Sequence, residues 1–295
     1  MNEIRIDALL PQEMASRAEN LGVRKSEISV LKTFLLAVLA GAFIALGAIF
    51  ATTVSAAGVP VTAPDGTVIY NAALPYGLIR LLAGLVFSLG LILVVVGGAE
   101  LFTGNNLIVM AWASGKVRGL KVLRNWFIVY IGNFFGAVGT AGIMFFTKQY
   151  TFGSNAVGIV ALKTAVSKCD FTFVQAVALG ILCNALVCLA VWLTYSARTT
   201  TDKILAIIFP IAAFVAAGFE HSVANMYYIP YALFIKFFDP DFIGKVSGQV
   251  PHLETLTWQG FFLHNLLPVT IGNIIGGSVL VAAVYWAIYL RQPES

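Results

Sequence analysis

Ionisable side chains are rare inside the long apolar runs of this sequence, and the few present are the first candidates for chemistry. His221 follows Glu220 in the otherwise apolar segment 204–235, and Glu100 is one of two charges in the segment 74–113. A charge at mid-membrane costs from about 3 to over 10 kcal/mol, so such a residue is a functional candidate by default. An imidazole titrates near neutral pH. We therefore expect His221 to help a small ion or proton cross a membrane.

Other chemistries find little support in the sequence. It has no phosphate-binding glycine loop, metal-ligand cluster or nucleophile–base pair, and an aquaporin-type pore would need paired Asn-Pro-Ala motifs, which are absent. The cysteines number three, and Cys183 and Cys188 lie in an apolar run, which favours packing over a disulfide or zinc site. We expect no enzyme, no metal, no cofactor and no nucleic-acid partner.

The composition indicates an all-α membrane protein. Of 295 residues, 59% are hydrophobic and 11% are charged, about half the usual charged fraction. Six apolar runs approach or exceed the roughly 20 residues that cross a bilayer. We place the six spans at 32–54, 75–113, 124–147, 171–196, 203–235 and 262–290.

The segments outside the spans predict the ends and the orientation. Residues 1–31 have no signal-peptide core and predict an amphipathic helix along the membrane surface. Residues 291–295 form a short tail. Of the 18 Lys and Arg residues, 12 lie on the side of the N-terminus, which predicts that both termini are cytoplasmic. The apolar side of the N-terminal helix is formed by Ile6, Leu9, Leu10, Met14 and Leu21.

The two halves of the chain resemble each other, in units of about 32–147 and 171–290. Thr33 matches Thr172, Glu100 matches Glu220, and the Ile-Gly-Asn motif at 131–133 matches the one at 271–273. Each unit has three spans, an odd number, so the second unit crosses the membrane in the opposite sense. Inverted repeats of this kind are frequent in transport proteins. The glycines spaced by four in spans 3 and 6 are interpreted as helix-packing positions.

Spans 2 and 5 are too long for one crossing, and each is interrupted by polar residues. Backbone that leaves a helix at membrane depth must be buried or line a polar cavity. Paired interruptions indicate a transport site, and the N–H groups of the restarting helix favour an anion there. Asn184 lies mid-span, facing either a pore or another helix, and Lys168 reads as a solvated loop charge. The breaks themselves are expected to be stabilised by Glu100, Glu220 and Asn225.

Several longer motifs resemble those of the formate/nitrite transporter family, and most closely its formate-channel branch. The resemblance extends from about Leu9 to Leu290. One departure is Glu100, where the formate-channel branch often has Asp. The motifs are GAELFT at 98–103, GFEHSVANM at 218–226, the stretch from Asn265 to Gly277, FSLGLIL at 87–93 and the stretch 286–290.

The resemblance implies a homopentamer in the inner (plasma) membrane, with an aquaporin-like pore in each protomer. The substrate it implies is a small monovalent anion, most readily formate, with nitrite, hydrosulfide or another short-chain acid as alternatives. Channel and proton-coupled carrier stay open, and replacing His221 with Phe should alter the pH dependence of flux. The implied roles are a central histidine at His221, its polar neighbours Thr103 and Asn184, apolar constrictions at Phe87, Leu91 and Phe214, and a lysine at the outer vestibule at Lys168. This role replaces the interpretation of Lys168 as a loop charge.

Overall fold

The computed structural model describes residues 7–62, 67–70 and 74–291, and this part of the chain is mostly helical. Within it, six helices are long and apolar enough to cross a membrane. This confirms the prediction of six spans. Their bounds are Val30–Gly58, Tyr76–Gly97, Gly119–Phe146, Phe173–Ser196, Thr200–Ala217 and Gly260–Tyr289.

A two-stranded antiparallel hairpin, β1 (Val61–Thr62) and β2 (Val68–Tyr70), lies between the first and second spanning helices. The last span is one continuous helix that changes between α and π geometry, with π segments at Gly260–Leu266 and Ile275–Ala283. The α-helices are α1 (Pro11–Glu27), α2 (Val30–Ser55), α3 (Tyr76–Gly97), α4 (Val109–Ala113), α5 (Gly119–Phe146), α6 (Ala156–Cys169), α7 (Phe173–Ser196), α8 (Thr200–Ala217), α9 (Ser222–Phe238), α10 (Pro240–Val246), α11 (Leu267–Ile274) and α12 (Val284–Tyr289).

Helix α6 lies between the third and fourth spans, where the residues alone suggested that Lys168 is a solvated loop charge. It has 14 residues, too few to cross a bilayer, and its buried side is made by small and aliphatic residues such as Ala161, Leu162 and Ala165. It packs against α9 beside the second break. Lys168 therefore stands in the last turn of a packed helix.

The N-terminal helix α1 packs against the bundle, a contact that the sequence did not predict. Met14, Ala15 and Ala18 are buried in a cluster with Met110 and Trp192, whereas Leu10 stays exposed. The end of the bundle is apolar, so the apolar side of α1 can be buried there as well as in the bilayer. Residues 1–6 and 292–295, and with them Ile6 and most of the predicted tail, lie outside the described residues.

The glycines spaced by four act as close-packing positions, as predicted. A Cβ on Gly136 of α5 would lie 2.0 Å from the carbonyl oxygen of Val38 in α2. A Cβ on Gly276, in the last span, would lie 2.1 Å from the carbonyl oxygen of Ile181 in α7. The first and third spans of each half therefore pack closely through a glycine, α2 with α5 and α7 with the last span.

The equivalent helices α3 and α8 run antiparallel to each other. Arg80, near the start of α3, donates hydrogen bonds to the carbonyls of Val215 and Ala216 at the end of α8. An antiparallel arrangement of equivalent helices is what a two-fold axis in the membrane plane requires. The antiparallel packing of α3 and α8 is consistent with the predicted inverted repeat.

Candidate functional site

The two broken spans leave their helices by the same turn. Gly98 follows α3 with a φ of 78°, and Gly218 follows α8 with a φ of 77°. Only glycine adopts this left-handed conformation without steric cost, so each helix ends there. The next residues, Ala99 and Phe219, donate their N–H groups back to the carbonyl five residues earlier, at 2.9 and 3.0 Å.

A buried asparagine in each half satisfies the backbone that the break exposes. The Asn133 side-chain oxygen accepts the N–H of Phe102 at 2.9 Å, and its amide nitrogen donates to the carbonyls of Ala37 and Glu100 at 2.8 and 2.9 Å. Asn273 makes the equivalent three bonds in the second half. The sequence motif contained both residues, but it was interpreted through its glycines, so their role was missed.

Glu220 is the centre of a buried ion pair. Its Oε1 accepts from the Lys168 ammonium at 2.7 Å, and the two side chains are 3% and 13% exposed. Its Oε2 accepts from the amides of Asn225 and Asn265 at 2.7 and 3.1 Å. Lys168, Glu220 and Asn225 therefore lie together beside the second break, and Asn265 joins them from the last span.

The first break carries the same arrangement with a different lysine. Glu100 accepts from the Lys25 ammonium at 2.8 Å and from the Asn105 amide at 2.7 Å, and Asn105 also donates to Asn125 at 2.9 Å. Lys25 belongs to α1, which was expected on the membrane surface, so it was not predicted as a site residue. Its sequence signal is its distance of 143 residues from Lys168, close to the spacing of the other repeated positions.

His221 links the second break to the first. Its Nδ1 accepts the N–H of Ala224 at 3.1 Å, which caps α9, and its Nε2 lies 3.0 Å from the Thr103 hydroxyl. A nitrogen that accepts an N–H carries no proton, so we assign the ring proton to Nε2, where it is donated to Thr103. The predicted pair of His221 and Thr103 is thus in direct contact.

Asn184 bonds to backbone on neighbouring segments. Its amide donates to the carbonyls of Thr103 and Asn273 at 3.3 and 2.6 Å. Through Thr103, Asn184 is linked to His221. All three cysteines are buried and free.

Two cavities open on opposite sides of an apolar partition. The α1-side vestibule, about 310 Å³, is lined by Lys25, Glu100 and Leu91 among others. The α6-side vestibule, about 380 Å³, is lined by Lys168 and His221 among others. Each therefore contains one of the two lysine–glutamate pairs, in which the glutamate is buried.

The three residues predicted as constrictions lie beside the two vestibules: Leu91 lines the α1-side vestibule, and Phe87 and Phe214 line the α6-side vestibule. Phe87 and Leu91 lie one turn apart on α3 and are almost fully buried, as is Phe214 of α8. The rings of Phe87 and Phe214 meet edge to face at 5.6 Å, and Phe214 stacks on His221 at 6.0 Å. The histidine thus stands where the α6-side vestibule ends at the apolar barrier.

Two N–H groups at the start of α9 already have partners within the protein. The N–H groups of Ser222 and Ala224, at the start of α9, are bound by Asn273 and His221, so they are not presented to an anion. Positive charge in the vestibules comes from side chains. Among the described residues, no group of three or more His, Cys, Asp and Glu side chains is placed to hold a metal ion.

Comparison with known proteins agrees with this architecture. The sequence model of the family described as "Formate/nitrite transporter" matches residues 12–287. The chain belongs to the formate/nitrite transporter family. The formate channel FocA of Escherichia coli strain K12 is 45% identical, over 98% of this chain and 97% of its own. FocA of Haemophilus influenzae is 40% identical, over 93% and 92%.

A solved structure shows the same fold. It is described as a pentameric formate channel with formate bound, is 44% identical, and covers 89% of this chain and 98% of its own with a TM-score of 0.77. The resemblance inferred from the motifs is confirmed, and the fold is that of an integral membrane channel or transporter.

Proposed function

We propose that this protein passes a small monovalent anion, most readily formate, through a pore in each protomer of a homopentamer in the inner membrane. The observation that carries the proposal is the position of His221 at the apolar partition, between two vestibules that each hold a lysine paired with a buried glutamate. FocA relatives and the formate-bound pentamer support formate as the substrate.

Positively charged side chains in the vestibules attract anions, whereas the apolar partition does not. The α6-side vestibule is lined by Arg80, Lys163 and Lys168 against one carboxylate, Glu220. This excess of positive charge raises the local concentration of anions. The apolar rings then oppose a bare charge, because an anion without its water or a counter-charge is costly in a medium of low polarity.

His221 and Thr103 offer hydrogen bonds at that barrier. The Nε2–H of His221 is donated to a hydroxyl, which can rotate and yield it to a passing carboxylate. A second ring proton would have to displace the Ala224 N–H from Nδ1. The geometry therefore favours a neutral imidazole that donates a hydrogen bond, and full proton transfer requires the cap of α9 to open.

We assign the α1-side vestibule to the cytoplasm, because most Lys and Arg residues flank the spans on that side. Both termini are then cytoplasmic. Formate leaving the cell would meet Lys25 first and Lys168 last.

Flux in proteoliposomes tests the proposal. We expect formate to cross purified, reconstituted protein much faster than protein-free vesicles, and to do so without ATP. Competition by nitrite and hydrosulfide ranks the substrates, and flux with and without a pH gradient separates a channel from a proton-coupled carrier. Formate flux equal to that of protein-free vesicles would refute the proposed function.

A further inference from the structure

The negative ends of two broken helices point into the vestibules. α8 ends at the α6-side vestibule, which Val215 and Gly218 line. α3 ends at the α1-side vestibule, which Val95 and Gly98 line. The last carbonyls of a helix lack helical partners and carry roughly half a negative charge. An anion approaching the partition must pass that charge.

Arg80 stands at the end of α8. Its Nε donates to the Ala216 carbonyl at 3.2 Å, and its Nη2 donates to the Val215 carbonyl. Arg80 also lines the α6-side vestibule. The guanidinium thus covers the carbonyl end of α8 at the mouth that an anion uses.

Lys203 occupies the corresponding place at the other mouth. It lies in the first turn of α8, which runs antiparallel to α3, and it lines the α1-side vestibule together with Val94, Val95 and Gly98 from the end of α3. In the described part of the chain its ammonium forms no hydrogen bond or ion pair. Its charge is therefore not cancelled by a carboxylate, whereas the charges of Lys25 and Lys168 are each paired with a glutamate.

We infer that Arg80 and Lys203 control anion access to the pore, each by neutralising the negative end of the broken helix at its own vestibule. They act as positioning residues for the electrostatic field rather than as contacts at the constriction. The inference rests on the proposed function, since it requires that an anion enters the vestibules.

The test measures unidirectional formate flux against concentration, from each side, in protein reconstituted in one orientation. Arg80→Gln should raise the half-saturating concentration from the α6 side by about two- to fivefold, the range expected for one charge at a helix end. Lys203→Gln should do the same from the α1 side. At low formate concentration a passive pore has equal permeability in both directions. The two sides are therefore compared by their half-saturating formate concentrations.

Matched variants separate this role from simple loss of charge. Lys163→Gln removes one charge from the same vestibule as Arg80 but does not touch the end of α8, so it should shift half-saturation less than Arg80→Gln. Arg80→Lys and Lys203→Arg keep the charge and should stay close to the parent. Should Arg80→Gln fail to assemble, Arg80→Lys and Lys203→Gln still provide the test, because Lys203→Gln removes no hydrogen bond.

Two results would overturn the inference. Equal shifts from Lys163→Gln and Arg80→Gln would show that only total charge matters. Unchanged half-saturation in both glutamine variants, with formate flux intact in the parent, would refute the role of the helix ends and leave the proposed function standing. Absence of formate flux in the parent would instead refute the proposed function itself.

Discussion

Replacing Lys168 with Met would leave the Glu220 carboxylate buried without its cation. The two charged atoms are 2.7 Å apart, and the side chains are 13% and 3% exposed. Removing one partner of a buried ion pair costs about 3–5 kcal/mol. Two amide donors, from Asn225 and Asn265, would still bind the other oxygen of the carboxylate. We therefore expect a loss near the lower limit, about 3 kcal/mol.

The assay is a double-mutant cycle on the unfolding free energy of protein in mixed micelles, with formate flux recorded in parallel. The double variant Lys168→Met with Glu220→Gln removes both charges at similar volume, and we expect it to recover to within about 1 kcal/mol of the parent. A matched comparison is Lys25→Met. Its pair is more exposed, at 27% and 6%, so its loss should be smaller.

Two outcomes would contradict this reasoning. One is a loss of less than about 1 kcal/mol in Lys168→Met, which would mean that the carboxylate is adequately stabilised by its amides or by water. The other is a double variant less stable than the single one. Either result would show that the pair is not the element that holds the second break.

Three further predictions concern packing and stability. Gly136→Ala should lower the free energy of unfolding by about 1–3 kcal/mol, because its Cβ would lie 2.0 Å from a carbonyl oxygen of α2. Gly139→Ala is the control, since a Cβ there would have nothing within 4 Å. Equal melting temperatures for the two variants would contradict the close approach. Asn273→Leu should reduce the fraction of intact oligomer in size-exclusion chromatography, since three hydrogen bonds worth roughly 1 kcal/mol each are lost, and an unchanged fraction would refute this. The Lys148 ammonium, bonded at 2.7 Å, lowers the pKa of Asp239 from 3.8 to about 2. Because the pKa of Asp239 is lower in the folded protein, its carboxylate stabilises the fold above about pH 4, and this stabilisation is lost as the pH falls towards 2. The difference in melting temperature between the parent and Asp239→Asn should therefore narrow from pH 6 to pH 3. A constant difference would contradict this prediction.

The spans and their breaks could be predicted from sequence because their signals are local. The length and hydropathy of an apolar run predict a membrane span, and a polar interruption in a run such as 74–113 predicts a break in its helix. The repeated Glu100 and Glu220 placed the two breaks in equivalent positions. His221 stood out because it is an ionisable residue in an otherwise apolar segment.

The partners of those residues could not be predicted, because they come from distant parts of the chain. Lys25 lies 75 residues from Glu100, and Lys168 lies 52 residues from Glu220. Helix α6 was missed because it is short and carries two lysines. Helices α1 and α6 each supply the lysine that pairs with the glutamate of one break, a similarity that the two ion pairs reveal.

The rate of formate flux with His221 replaced by Asn, recorded against pH, tests the central claim most directly. The Asn oxygen can accept the Ala224 N–H, so the cap of α9 survives, while its amide does not titrate. We expect an assembled protein whose formate flux is reduced, because the ring N–H that faces Thr103 is lost. We expect its pH profile near neutrality to match the parent's, because the parent's imidazole stays neutral while its Nδ1 accepts the Ala224 N–H. An unchanged rate of formate flux would contradict a role for His221 in passing the anion.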